Sequence, residues 1–205
     1  MLSSLGLSLL RTTRARFHLA GRRLLSSASF EEPSRPGLFY HLVSSRRGPI
    51  FAVSLLEATP WTPTSATVIG SLPTTSDDGA NSDATFEDFI PNPAFIEVLN
   101  ASVKRALESG ADEGLAMQAK LVYDGWLHVN DERNEAAKTG DRIGSPDDIV
   151  GSVCVKEGKI LPETFSPMPS YRVCTPDGVV KLSDPMMKHL LQVLREAHDA
   201  ESEEL

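Results

Sequence analysis

Beyond Asn92 the apolar positions take up a helical rhythm. Phe95, Leu99, Val103, Ala106 and Leu107 recur at three- and four-residue spacing and so share one face. Asn92 offers a capping side chain, Pro93 a preset φ at the first helical position, and Gly110 a stop, which together predict a helix over residues 93–109. Near the C-terminus Met187, Leu190, Leu191 and Leu194 repeat the pattern behind Ser183, Asp184 and Pro185, predicting a second helix over residues 185–197. The link from the preceding strands is short enough for this helix to fold back onto them. Leu115–Leu121 reads as a further, shorter helix.

Elsewhere the pattern is that of strands. Leu38–Val43 and Ile50–Leu56 flank the turn Ser44–Gly48, and Thr67–Leu72 follows as a third apolar stretch. Leu121–Val129 alternates, with Leu121, Tyr123, Leu127 and Val129 on one face and Asp124, Trp126 and His128 on the other. Ile149–Val155 and Lys159–Leu161 flank the hairpin turn Glu157-Gly158, and Tyr171–Thr175 and Val179–Leu182 flank Pro176-Asp177-Gly178. Hairpins broken by one internal and one terminal helix define an α+β class with a mainly antiparallel sheet. The regular strand–helix alternation of a doubly wound fold is absent.

Charge divides the chain in two. Residues 1–25 contain Arg11, Arg14, Arg16, Arg22 and Arg23 and no acid, and the first acid is Glu31. The remainder holds 15 Lys and Arg against 28 Asp and Glu, a net charge of −13 where the whole chain has −8. An acid-free leader rich in Leu, Ser and Arg has the composition of a mitochondrial transit peptide. Its apolar stretch Leu2–Leu10 precedes the arginines, the reverse of a secretory signal, and Arg23-Leu24-Leu25-Ser26 resembles the cleavage sites of matrix-imported proteins. Processing is expected near Leu25 and Ser26, leaving residues 26–205 as a single globular domain in the mitochondrial matrix. Within it, Pro73–Asn92 is crowded with turn formers, so a flexible loop is expected over residues 73–91. Asp199, Glu201, Glu203 and Glu204 crowd the helix end that favours cations, so an acidic tail is expected to fray over residues 199–205.

Composition excludes several function classes. Only 40% of residues are apolar, and no run reaches the roughly 18 that a membrane-spanning helix needs. The acidic remainder repels phosphate, which disfavours nucleic acid and leaves a protein partner, a basic one by charge. The glycine-rich phosphate loops, His-Glu-x-x-His and Gly-x-Ser-x-Gly are all missing, and no metal or cofactor pattern is present. Cys154 and Cys174 sit in valine-rich stretches and read as small buried hydrophobes; Arg172 beside Cys174 could activate a thiol, but no base accompanies it.

The stretch Trp126–Asp148 looks least like scaffold. His128, Asp131 and Asp147 could bind a metal or act in general acid/base catalysis, since imidazole titrates near neutrality and carboxylates offer hard oxygen ligands. Against this stands the structural reading, in which Trp126 covers a core layer, His128 is a hydrogen-bonded surface histidine and Gly144–Asp147 is a turn. Trp126, Arg142, Phe165 and Met168 are the candidates for a partner-binding surface. The leading expectation is a mitochondrial accessory, assembly or maturation factor acting by protein contact, the alternative a small enzyme using the His128/Asp131/Asp147 region.

Overall fold

The computed structural model describes residues 28–46, 48–74, 86–133 and 145–203. Among the described residues, ten strands, all paired antiparallel, and three α-helices make the α+β fold. β1 (Ser29–Glu31), β2 (Phe39–Ser45), β3 (Gly48–Ser54), β4 (Val68–Pro73) and β5 (Ile90–Pro91) pair in sequence order as a five-stranded meander. Of the expected loop over 73–91, residues 75–85 lie outside the described residues. Its end is not loop: Phe86–Asp88 form a 3-10 turn and Ile90–Pro91 join β4. Phe89 makes that pairing specific, because its ring fills the space where a Cβ on Gly70 would come within 2.3 Å.

α1 (Pro93–Ser109) forms as its caps predict. Asn92 Oδ1 accepts from the Ala94 amide at 3.2 Å, and the Asn92 side-chain amide donates to Ser65 O and Val68 O, which ties the helix start to β4. Gly110 ends it in the left-handed conformation, φ 63°. α2 (Glu113–Val122) is longer than its apolar stretch, since Asp112 Oδ1 caps the Leu115 amide at 2.9 Å.

The helix displaces the strand expected to start at Leu121. Leu121 lies in the last turn of α2 and is 82% exposed, Tyr123 turns the chain at φ 62°, and β6 (Gly125–Asn130) begins only afterwards. The junction is held by the Gly158 amide donating to Tyr123 O and the Glu157 amide to Asp124 Oδ1. From Gly125 on the alternation is as expected: Leu127 and Val129 are buried, Trp126 and His128 exposed.

β6, β7 (Ile149–Lys156) and β8 (Lys159–Pro167) form the second sheet in that order. Glu157 and Gly158 both take positive φ, 51° and 72°, as a two-residue turn of this twist requires. β8 continues well past Leu161; Pro162 and Pro167 are accommodated because β8 is an edge strand. The 171–182 hairpin is correspondingly smaller than expected, reduced to β9 (Cys174–Thr175) and β10 (Gly178–Val179). One further bond, from the Val180 amide to Val173 O, extends it, and beyond that its flanks pair elsewhere: the Arg172 amide donates to Asp147 O and the Glu132 amide to Lys181 O.

α3 (Asp184–Glu203) buries Met186, Leu190 and Leu194 and packs chiefly on α1 rather than on the hairpin before it. It runs past the end expected at 197, as far as Glu203, the last described residue. The reason is tertiary: Trp61 stacks on His198 at 5.4 Å and donates from Nε1 to His198 O, and Glu201 Oε1 accepts from the Ala66 amide at 2.9 Å. Contacts to a neighbouring loop outweigh an unfavourable helix dipole. α1, α3 and both larger sheets contribute to one hydrophobic cluster, in which Phe95, Leu99, Leu190 and Leu194 are fully buried.

Leu190→Ala is expected to cost about 2–5 kcal/mol in urea unfolding, the penalty for a truncated core leucine. Glu201→Ala should cost about 1 kcal/mol, the net worth of one hydrogen bond. A Glu201 variant as stable as wild type would show that the helix end is not held by Ala66.

Candidate functional site

At the end of β6 the chain buries a cluster of charge. Arg133 donates from Nε to Asp148 Oδ1 at 2.9 Å, and its Nη2 lies 2.9 Å from the same oxygen. Nη2 also donates to Asp147 O at 3.0 Å and Arg172 O at 2.6 Å, while the guanidinium carbon sits 5.6 Å from the centre of the Tyr171 ring. Asp131 accepts through Oδ1 from the Arg133 and Lys181 amides and through Oδ2 from the Tyr171 hydroxyl at 2.8 Å. Arg35 extends the cluster by donating from Nη1 to Val179 O at 2.6 Å. Asp131, Arg133 and Asp148 are all buried. Burial pushes the Asp131 carboxyl up against the pull of Arg133, and raises Tyr171 well above its ordinary value. Every contact within the cluster is internal to the chain, and each guanidinium is committed to backbone carbonyls or buried carboxylates.

The sequence-derived catalytic candidates are thereby separated. His128 is exposed on the outer face of β6, where its Nδ1 is 2.8 Å from Ser152 Oγ. Asp131 is the buried hub just described. Asp147 contributes its backbone carbonyl to Arg133, while its half-exposed carboxylate meets Arg172 Nε at 3.9 Å. The residue that joins Asp131 through Arg133 is Asp148, not Asp147. Among the described residues no three His, Cys, Asp or Glu side chains are placed to hold a metal.

Of the partner-surface candidates, Trp126 is 60% exposed. Phe165 turns inward: its ring lies where a Cβ on Gly151 would come within 2.5 Å, and it packs against the core. Met168 is half-buried in a turn, its amide donating to Val150 O. Arg142, Leu25 and Ser26 lie outside the described residues. Cys154 and Cys174 are free thiols, and burial pushes Cys174 up to about 11, so it is not activated by Arg172.

Sequence reasoning missed two features. The first is a pairing at β1: His41 Nε2 must donate to Leu56 O, a carbonyl, at 2.9 Å, so Nδ1 is the acceptor for the Ser29 hydroxyl at 2.7 Å. That order of groups is the one that activates a serine, but no carboxylate stands behind the ring and burial lowers the His41 pKa. A proton taken up there would be uncompensated. The second is a groove of about 850 Å³ between the Ser34–Gly37 turn, the Leu55–Ala58 segment and α3. Its lining mixes apolar Leu55, Leu56, Met187 and Leu191 with charges of both signs, Lys181 and Arg195 against Glu57, Asp184 and Asp199, a mixture that selects no ligand charge.

Four of the most exposed apolar side chains lie within ten residues of sequence. Met117 and Leu121, four residues apart on α2, are 65% and 82% exposed, and Tyr123 and Trp126 follow at 59% and 60%, while Ile90, 65% exposed, lies apart on β5. Large apolar side chains left in water are the candidates for contact with another macromolecule. No protein family, curated protein or solved structure matches the chain.

Two outcomes follow from the buried groups. Asp148→Ala leaves Arg133, among the described residues, with Asp131 as its one carboxylate, Oδ2 3.8 Å from Nη1, and should cost about 3 kcal/mol, while replacing the whole set by Asp131→Asn, Arg133→Met and Asp148→Leu should recover a large part of it; a triple variant no better than the single would show that the cluster is not an ionic unit. His41, lowered from 6.5 by burial, takes up its proton at lower pH in the folded chain than in the unfolded one. Its contribution is therefore complete above 6.5 and is lost as pH falls below it. His41→Gln should flatten the fall in Tm on that acid side, and an unchanged slope would assign the acid limb to other groups.

Proposed function

We propose that this is a mitochondrial matrix protein that works through protein–protein contacts, as an accessory, assembly or maturation factor with a basic partner. The exposed apolar row Met117, Leu121, Tyr123 and Trp126 carries this reading. The net charge of −13 beyond the arginine-rich leader supports a basic partner, since summed charge steers association. The acid-free leader supports the mitochondrial address. Catalysis by the His128/Asp131/Asp147 region gains no support from a geometry in which one is exposed, one is buried among hydrogen bonds and one points at Arg172.

Met117→Asp with Leu121→Asp should leave the melting temperature unchanged, because both side chains are exposed, and should remove a stoichiometric partner that co-purifies with the wild-type protein from matrix. Retention of the same partner would overturn the assignment of this surface. A reporter carrying residues 1–30 should enter mitochondria, and changing Arg11, Arg14, Arg22 and Arg23 to Glu should keep it in the cytosol. Cytosolic retention of the unmodified fusion would overturn the address.

A further inference from the structure

The two larger sheets present four edges, and three of them are blunted. β1 has three residues and carries Glu31; β5 has two and ends in Pro91. β8 contains Lys159, Pro162, Glu163 and Pro167, and α1 and α2 pack against it. Short edges, charges, prolines and covering helices are the devices that keep a sheet from adding a strand. β6 shares the contact with α2 but has neither of the in-strand devices, charge or proline, and is longer than β1 and β5. Gly125–Asn130 contains no proline and no Asp, Glu, Lys or Arg, and among the described residues it pairs only with β7. Trp126, His128 and Asn130 are exposed along it.

We propose that β6 pairs antiparallel with β6 of a second copy of this chain about a two-fold axis at Leu127, joining the two three-stranded sheets edge to edge. Opposed residues must point to the same face, so the axis has to pass through a residue and not between two. An axis at His128 would set Asp124 against Glu132 of the second copy, two acids. An axis at Leu127 sets Asp124 opposite Asn130, whose amide can donate to the carboxylate, and Leu127 opposite itself on the core side. It also places Trp126 opposite His128 of the second copy on the outer face, twice by symmetry. An isologous contact needs one surface that complements itself, and in this register β6 does so without opposing like charges. The contact shares Trp126 with the partner surface proposed above and goes beyond it, because it uses the strand edge and leaves Met117 and Leu121 of α2 free.

The test is sedimentation velocity on the full chain over a concentration series. The wild-type protein should dimerise by roughly 100 µM, the weak end of specific association. Trp126→Lys and His128→Glu should each weaken the dimer about tenfold, since each removes both symmetry-related cross-strand pairs. The double variant Trp126→Lys/His128→Glu places Lys opposite Glu of the second copy and should recover the dimer. Thermal melts by circular dichroism, expected to match wild type for these exposed positions, separate association from folding. A wild-type chain that stays monomeric, a dimer indifferent to both single changes, or a double variant weaker than either single one would each overturn the proposal.

Discussion

A guanidinium does not lose its charge inside a protein, so burying Arg133 obliges the chain to bring acceptors to it from wherever they lie in the sequence. Those acceptors come from Asp147, Asp148, Arg172 and Gly178, and the neighbouring Asp131 draws in Tyr171 and Lys181. Four stretches that share little regular pairing of their own are thus fixed to the end of β6. β9 and β10 are two residues each, too short to hold that region by strand pairing alone. Their place, and with it the start of α3 a few residues later, follows from the ionic cluster. Removal of one partner costs far more than replacement of the set, because the penalty comes from the charge left behind.

Periodicity made most of the fold legible. The helix from Pro93 and the meander before it carry caps, turns and alternation that all point the same way, and they form within a residue or two of expectation. Where the reading failed, a contact distant in sequence had prevailed over a local pattern. The alternation through Leu121 and Tyr123 is real, yet the cap at Asp112 propagates a helix through it until Tyr123 turns the chain. The acid-rich end of α3 should unwind by its dipole, but Trp61 and the Ala66 amide meet it from a loop more than a hundred residues earlier. The strand expected over Lys159–Leu161 runs on through Pro162 to Pro167, because the pattern does not say that β8 lies at an edge.

The candidate site was legible only as a region. Its composition singled out residues 126–148, and the burial of Asp131 and Asp148 lies there, but adjacent aspartates cannot be told apart without knowing which one faces Arg133. Tyr171 and Arg35 enter the same cluster from elsewhere in the chain, and no local spacing announces them. The exposed row on α2 was hidden for a related reason: Leu121 looked like a core position of a strand, and only as the end of a helix does it face solvent.

The chain has two tryptophans, and neither is in the core. Trp61 is 49% exposed and rests on His198 at the far end of α3; Trp126 is 60% exposed on β6. Both indoles already sit partly in water, so their emission should begin near the red, solvent-exposed limit and shift little when the core melts. What the two rings report instead is local. Light from Trp61 follows the docking of the last turns of α3, through the imidazole it stacks on. Light from Trp126 follows whatever approaches the open side of the second sheet.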